Sequence, residues 1–448
     1  MIHIFVSRAW KVKLVFLALL ALAAQASPTL RADDEWPQFR GPDGQGHTLS
    51  ADLALTWSET ENIRWKLAAP GQGWSSPILS GDYVWMTTAT EEGKSLRVLC
   101  VELAHGKLLK DIEVFHREEP IAKEAMNSYA TPSPVVEAGR LYVSFGTCGT
   151  ACLSIETAAV LWRREDFRID HMVGPASSPV LAKDKLIIPF DGKDLQFVVA
   201  LDKQTGQTIW KATRSFVDGK MPFPAHSCCT PLMVPANGID QVLVPGAQRT
   251  FAYDLATGKE LWWVTHGGWS IVPRPVFGNG LFYTTTGYTA PDQASEIMAI
   301  RPDGSGDVTE SKVVWRTTRH VPMMPSPVLV SNRLFAVADE AGTAYCLDAL
   351  TGSDVWRQRI GGKYSASPLA APGRIYFFDR DGTTTVVEAA DTFRVLSRNK
   401  LEGGCMASAA VAGRALILRT KRHLYRIEKQ DLLDRAVRTD HANAGTPQ

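Results

Sequence analysis

Short apolar segments alternate with polar turns along most of the chain, and they recur in a fixed order. Each unit has an apolar run after a proline, a glycine-containing turn, a second apolar run, and then the phrase Asp-x-x-Thr-Gly-x-x-x-Trp. The fullest copies run from Asp202 to Trp210, from Asp254 to Trp262 and from Asp348 to Trp356, each with tryptophan eight residues after aspartate. Apolar runs bounded by glycine and proline predict β-strands. Their recurrence every 40 to 57 residues predicts a repeat protein, because one such unit cannot bury its apolar faces alone.

Eight copies of the unit align on the residue pair at the start of their first strand. Proline lacks an N–H group, so it is tolerated at the start of a strand and excluded from the interior of a ladder. The eight pairs are Ser76-Pro77, Ser133-Pro134, Ser178-Pro179, Thr230-Pro231, Arg274-Pro275, Ser326-Pro327, Ser367-Pro368 and the degenerate Ser408-Ala409. Four strands per unit and eight units predict an all-β fold, an eight-bladed β-propeller of four-stranded antiparallel blades.

The two ends of the repeat region complete each other. The eighth unit stops at Leu424 to Ile427 without a tryptophan strand, and Asn62 to Lys66 is a tryptophan strand without the preceding three. Pairing of the N- and C-terminal strands closes the ring and removes two open sheet edges. We therefore predict a propeller over residues 62–430, after an N-terminal extension at 33–61 and before a flexible polar tail at 431–448.

The recurrent tryptophans are predicted to dock one blade against the next. Their regular spacing favours packing over the alternative, in which they are platforms for a ligand. An indole buries about 150–250 Å², so such contacts contribute strongly to stability. The predicted docking residues are Trp65, Trp162, Trp210, Trp262, Trp315 and Trp356.

The N-terminus has the pattern of a secretory signal. Basic residues precede an apolar run from Leu14 to Ala24, and a small-x-small cleavage site ends near Ala26. This predicts a signal peptide at residues 1–26, with cleavage after Ala32 as an alternative, and a periplasmic or secreted protein without a membrane span. The other alternative is an uncleaved membrane anchor. With 48 basic and 47 acidic residues, the chain has no bulk attraction to nucleic acid.

The Asp-x-x-Thr-Gly-x-x-x-Trp units resemble the tryptophan-docking motif of propellers of the pyrroloquinoline-quinone (PQQ) type. That superfamily includes quinoprotein alcohol dehydrogenases and the outer-membrane β-barrel assembly lipoprotein. Three further stretches are similar to those of exported PQQ-like propellers of planctomycete-type bacteria: Trp36 to Pro42, Arg301 to Asp307 and Leu418 to Tyr425. The resemblance covers residues 57 to 430 and implies the fold more strongly than the chemistry.

The resemblance also implies a candidate cofactor site at the adjacent cysteines Cys228 and Cys229, next to His226. PQQ-dependent dehydrogenases carry a disulfide between adjacent cysteines against the cofactor, with a bound calcium ion. The present pair falls in the fourth unit rather than early in the chain, and the calcium-binding Glu and Asn and the catalytic Asp of those enzymes have no matching positions. The alternative is that both cysteines are structural residues of a strand start.

A second candidate is the mouth of the central funnel. His226, Tyr129 and Lys363 lie five residues before the proline of their units, and Trp74, Cys228 and Met324 lie three before theirs. In an eightfold ring, these side chains are predicted to face one funnel and to bind a small molecule or a peptide. The alternative is that they only fill the narrowing funnel.

A calcium loop is the third candidate. Asp303 and Asp307 belong to a stretch in which oxygen-bearing side chains alternate with Gly304 and Gly306. The alternative is an ordinary acidic hairpin turn, since the stretch replaces the Thr-Gly turn of the fifth unit.

These observations predict a binding or assembly scaffold of the cell envelope, without its own chemistry and without a cofactor, whose partner is a protein or a small molecule. The repeat framework is intact, whereas the catalytic set of the dehydrogenases is incomplete. The alternative is a PQQ-dependent oxidoreductase that uses Cys228 and Cys229. Neither the oligomeric state nor the thiol state follows from the sequence.

Overall fold

The computed structural model describes residues 35–214 and 226–430. The predicted signal peptide, residues 1–26, and the predicted tail, residues 431–448, lie outside these ranges. Almost all regular structure in the described part is β-strand, apart from a four-residue α-helix, Thr309–Lys312, and two short 3-10 segments, Glu91–Gly93 and Gly146–Cys148. No helix within the described ranges combines the length and apolarity needed to cross a lipid bilayer.

The strands are numbered in chain order. The first half of the chain contains β1 (Ile63–Ala68), β2 (Ile78–Ser80), β3 (Tyr83–Thr90), β4 (Ser95–Glu102), β5 (Leu108–His116), β6 (Val135–Glu137), β7 (Arg140–Ser144), β8 (Thr150–Ser154), β9 (Val160–Arg164), β10 (Val180–Ala182), β11 (Lys185–Asp191), β12 (Gln196–Asp202) and β13 (Thr208–Thr213). The middle contains β14 (His226–Ser227), β15 (Leu232–Ala236), β16 (Ile239–Pro245), β17 (Arg249–Asp254), β18 (Glu260–Thr265), β19 (Gly268–Ile271), β20 (Val276–Gly278), β21 (Leu281–Thr285), β22 (Tyr288–Thr289), β23 (Ile297–Ile300), β24 (Gly306–Asp307) and β25 (Val313–Thr317). The last part contains β26 (Val328–Val330), β27 (Arg333–Ala338), β28 (Thr343–Asp348), β29 (Asp354–Arg359), β30 (Leu369–Ala371), β31 (Arg374–Phe378), β32 (Thr383–Glu388), β33 (Val395–Lys400), β34 (Ala410–Ala412), β35 (Ala415–Arg419) and β36 (His423–Ile427).

Within the described residues, eight sheets of four or five strands form the blades, as many as the units in the sequence. Blades 1, 2 and 3 are β2–β5, β6–β9 and β10–β13; blade 4 is β15–β18 with β24 added in parallel; blade 5 is β20, β21, β23 and β25; blades 6 and 7 are β26–β29 and β30–β33; blade 8 is β34–β36 with β1. The prediction of an all-β propeller is confirmed. Middle strands such as β11 are buried along their whole length, whereas the outermost strands, such as β1, alternate half-buried and exposed residues. This difference arises because only the inner strands are covered by neighbouring blades on both faces.

Blade 8 is assembled from both ends of the described repeat region. Strand β1 pairs antiparallel with β36, from Ile63 opposite Ile427 to Ala68 opposite His423. The closing strand pair predicted from the sequence is therefore present.

A ring of hydroxyl groups ties the first strands of the blades together. We call Ser76, Ser133, Ser178, Thr230, Ser326, Ser367 and Ser408 the hydroxyl ring. Each of seven backbone N–H groups donates to the hydroxyl oxygen of the next blade, at distances of 2.9 to 3.1 Å. The last bond, from the Ser408 N–H to the Ser76 hydroxyl, closes the cycle. Arg274 occupies the eighth position and bridges to blade 4 through its side chain, with Nε donating to the Pro231 carbonyl at 3.0 Å.

Tryptophans of the outer strands lie on the turns of the following blades. The indole of Trp210 donates to the Leu255 carbonyl at 3.0 Å and lies against Gly258, whose φ is +72°. A Cβ at Gly258 would stand 2.5 Å from this indole, so both the turn and the contact require glycine. Trp65, Trp162, Trp315 and Trp356 also donate to a carbonyl of the next blade, whereas Trp262 donates to the Gln241 side chain.

The N-terminal extension covers one end of the propeller axis. Its backbone or side chains bond to blade 1 at Leu79, to blade 2 at Val136, to blade 6 at Pro327 and to blade 7 at Ala370. Each of these partners comes one to three residues after the ring residue of its blade. The extension therefore lies on the side of the ring where the first strands begin, opposite the residues that come before the ring residues in sequence.

Candidate binding site: the central funnel

A cavity of about 490 Å³ occupies the propeller axis on the side of the hydroxyl ring opposite the extension. The hydroxyl ring and Phe39 of the extension form its floor. The next layer consists of the residues two positions before each of the eight strand-opening residues. These are Trp74, Thr131, Ala176, Cys228, Val272, Met324, Ser365 and Met406. Side chains alternate between the two sides of an extended strand, which explains why the ring residue and the residue two before it face the same space.

The upper wall is built from loops and from the small sheet of β14, β19 and β22. It contributes methionines and aromatic rings: Met126, Met172, Trp269 and Tyr288. The rings of Trp269 and Tyr288 have centroids 6.1 Å apart, and the Trp74 indole donates to the Met126 carbonyl at 2.9 Å. Thioether and aromatic groups make this wall apolar and adaptable.

His226 lies in this wall, held by the small sheet. It pairs in parallel with Ser270, and its Nε2 lies 2.9 Å from the Ser270 hydroxyl. Its imidazole meets the Trp269 ring edge-on at 5.5 Å, and only 1% of the residue is exposed. The described residues contain no group of three or more His, Cys, Asp or Glu side chains arranged to hold a metal ion.

Cys228 and Cys229 face different surroundings. Cys228 lines the funnel, whereas Cys229 is fully buried, with its Sγ donating to the Pro273 carbonyl at 3.2 Å. Both are free thiols in the structure. Burial raises the pKa of the Cys228 thiol to about 12 and raises the pKa of Cys229 as well. Both groups are therefore protonated at neutral pH and are weak nucleophiles.

Two residues predicted for the funnel mouth lie elsewhere. Tyr129 packs against Gly93, with the Lys123 ammonium 5.2 Å from its ring. Lys363 pairs with Glu340 at 2.9 Å. Neither is among the described residues that line the funnel, while Trp74, Met324, Cys228 and His226 are.

The proposed calcium ligands have other partners. The Asp303 carboxylate accepts from the Lys312 ammonium at 2.8 Å, and Asp307 accepts from the backbone N–H and the hydroxyl of Thr309. These bonds hold an acidic turn that precedes the short helix Thr309–Lys312, and calcium binding at this turn stays a prediction.

Several residues that line the funnel were not predicted from the sequence. Met406 lies three residues before Ala409, the residue that replaces proline in the eighth unit, so the count that gives Trp74 and Met324 also gives Met406. Phe39, Met126, Met172, Trp269 and Tyr288 come from the extension and from connections outside the repeat, where no periodic pattern predicts a direction.

The described lining does not fit PQQ, the group that the resemblance implies. PQQ is a rigid planar quinone with three carboxylates spread around its rings, and each buried carboxylate requires a cation or several donors. The described lining residues include no Lys or Arg; the walls are mainly methionine, tryptophan and valine with a few neutral polar groups, and Glu124 is an acidic side chain. We therefore assign no reaction step to this group.

Comparison with known proteins places these features in a family. The family described as outer membrane protein assembly factor BamB matches residues 20–212, 119–305 and 294–431. Tetrathionate hydrolase of Acidithiobacillus ferrooxidans is 27% identical over 156 residues, a match that spans 31% of each chain. The present chain thus matches about a third of this curated relative.

Solved structures show the same fold at low sequence identity. BamB from Moraxella catarrhalis is 15% identical with a TM-score of 0.57, covering 82% of this chain and 98% of that one. A europium-containing methanol dehydrogenase is 11% identical with a TM-score of 0.54, covering 88% of this chain and 91% of that one. The computationally designed Ika8 protein is 13% identical with a TM-score of 0.53, covering 80% and 98%. Together with the repeat motif and the blades, the family match shows that this chain belongs to the BamB family of PQQ-like β-propellers.

Proposed function

We propose that this protein is exported to the cell envelope and acts there as a binding or assembly scaffold that performs no chemistry of its own. The observation that carries the proposal is the funnel itself. It combines a large, mainly apolar wall with a floor of neutral hydroxyls, and the Cys228 thiol in its lining is protonated. A catalytic centre would bring together titratable groups with activated protonation states.

Membership of a family described as an outer membrane assembly factor supports an envelope location. The secretory signal pattern at residues 1–26 points the same way. Fractionation of cells that express the full chain and a chain lacking residues 1–26 tests this part. We expect the full chain in the envelope or periplasmic fraction and the shortened chain in the cytoplasm; retention of both in the cytoplasm contradicts the proposal.

A PQQ-dependent oxidoreductase is the second candidate, because Cys228 and His226 both line the funnel. The purified protein is incubated with PQQ and Ca²⁺, freed of unbound cofactor, and examined for quinone absorbance and for dye-coupled oxidation of alcohols. We expect neither stoichiometric uptake nor turnover. Stoichiometric uptake with turnover, lost in Cys228→Ala, would overturn the scaffold proposal.

A further inference from the structure

The floor of the funnel carries hydrogen-bond donors that have no acceptor. Each hydroxyl of the ring uses its oxygen to accept a backbone N–H of the preceding blade. Its own hydrogen remains, because a hydroxyl has one donor hydrogen as well as two acceptor sites. Within residues 35–214 and 226–430, no ring hydroxyl donates to a protein acceptor. Seven O–H donors therefore border the floor of one cavity.

The ring is buried, which makes these donors significant. None of its members is more than 7% exposed. A buried donor without a partner costs about 1–3 kcal/mol, so the floor favours an occupant that brings acceptor oxygens. Charged acceptors form the stronger bonds.

Two buried guanidinium groups lie beneath the floor. Arg274 Nη1 donates to the Phe39 carbonyl at 2.8 Å, and Arg40 Nη2 donates to the Pro327 carbonyl at 2.6 Å. The two residues are 2% and 1% exposed, and Nε and Nη1 of Arg40 have no hydrogen-bond partner. Burial lowers their pKa values to about 10 and about 9, so both remain charged at neutral pH. One carboxylate, that of Asp43, lies close enough to interact with both charges.

The charges around the floor favour an anion. The buried guanidinium groups of Arg274 and Arg40 interact with the Asp43 carboxylate, and a third buried guanidinium, that of Arg419, donates to the Ser75 carbonyl and hydroxyl beside the ring, in a site where solvent screening is weak. Above the floor the walls are methionine and tryptophan, suited to an apolar group. The cavity volume of about 490 Å³ lies within the usual range for small-molecule sites, about 300–1,000 Å³.

We propose that the funnel binds an amphipathic monocarboxylic acid, with its carboxylate on the hydroxyl ring and its apolar tail among the methionines and tryptophans. This inference rests on the proposed function, since it names the ligand class of the same funnel. A single carboxylate has about four lone-pair sites, which the ring hydroxyls can satisfy, whereas the described walls carry no Lys or Arg side chain to pair with a second carboxylate. Glu124 lies exposed at the rim, where water screens it.

Octanoate, 1-octanol and octyltrimethylammonium test the proposal, because they share a tail and differ in the charge of the head. Isothermal titration of the full chain measures each affinity. We expect octanoate to bind with one site per chain and at least about tenfold more tightly than 1-octanol, a ratio equal to about 1.4 kcal/mol, with the cation weakest. Equal affinities for octanoate and 1-octanol, or no binding of octanoate to the folded protein, would overturn the proposal.

Two pairs of variants locate the site. Met406→Glu places a negative charge in the wall and is expected to weaken octanoate binding at least about tenfold, while Met406→Leu retains it within about threefold. Ser326→Ala removes one floor hydroxyl and is expected to weaken binding, while Ser326→Thr keeps the hydroxyl and the affinity. If Ser326→Ala does not fold, the Met406 pair and the head-group series decide. Unchanged octanoate affinity in folded Met406→Glu contradicts the site.

The outcomes separate this inference from the proposed function. If the protein neither binds octanoate nor shows PQQ-dependent turnover, the ligand assignment is wrong and the scaffold proposal stands. If it shows PQQ-dependent turnover, the scaffold proposal is wrong, whether or not octanoate binds.

Discussion

At the scale of single residues, the protein keeps several ionisable groups in uncharged form inside the blades. His266 is buried in the connection between β18 and β19, where its Nδ1 accepts from the Gly268 N–H at 3.2 Å. Accepting this bond requires a neutral imidazole. Burial, with a smaller contribution from Arg316, lowers the pKa of His266 to about 3.

This predicts a loss of stability in mild acid. In the unfolded chain the pKa of a histidine is about 6.5, so the folded state binds fewer protons between pH 6.5 and about 3, and stability falls as the pH drops through that window. The expected slope for this group is at most about 1.4 kcal/mol per pH unit. Urea unfolding at pH 7.5 and pH 5.5 measures it.

The matched comparison is His266→Gln with His105→Gln, since His105 is exposed. We expect the first substitution to reduce the pH dependence, leaving the contribution of His171, whose pKa burial lowers to about 4, and the second to leave it unchanged. The same slope in wild type and His266→Gln would show that another group is responsible.

At the scale of elements, the blade-to-blade contact depends on a glycine turn and an indole that fit together. Gly258 and Gly238 both have positive φ values, +72° and +73°, in turns of the same blade. They differ in their surroundings, because Gly258 lies against Trp210 and Gly238 has no atom within 4 Å of an added Cβ. Substitutions at these two glycines therefore distinguish the cost of backbone strain from the cost of losing the contact with Trp210.

We predict that Gly238→Ala costs about 1–2 kcal/mol of unfolding free energy, from the left-handed backbone alone. Gly258→Ala is expected to cost about 1–3 kcal/mol more, because the new methyl group displaces the indole. Denaturant unfolding measures both. Equal losses in the two variants would mean that Trp210 docking contributes little to the fold.

The sequence predicts the register of the funnel as far as the strands extend. The residue three before each proline lies on the funnel wall, as Trp74, Cys228 and Met324 show. Positions five before the proline differ among themselves: His226 belongs to β14 and lines the funnel, whereas Tyr129 and Lys363 lie in connections without a strand and do not line it. The path of the extension beneath the ring depends on contacts between residues far apart in sequence, such as Arg40 with Pro327, which no local pattern specifies.

At the scale of the whole molecule, the hydroxyl ring and blade 8 couple every blade into one closed structure. An open array of repeats can lose its units from the ends, whereas a closed ring has no end unit. We therefore predict one cooperative thermal transition, with equal calorimetric and van't Hoff enthalpies.

Truncation tests the role of closure. A chain that stops at Gln430 retains β36 and is expected to unfold like the full chain, while a chain that stops at Arg422 loses β36 and the pairing with β1. We expect the shorter chain to melt at a lower temperature and in more than one step. Identical calorimetric traces for the two truncated chains would show that closure through β1 is dispensable.

The antiparallel pairing in blade 8 also determines how the molecule responds to mechanical load. Ile63 at the beginning of β1 lies opposite Ile427 at the end of β36, so the two attachment points are at the same edge of the pair. Force applied between them breaks the backbone bonds one after another, as in a zipper, instead of shearing them together. We therefore expect a pull between these two points to separate β1 from β36 at a lower force than a pull along the strands.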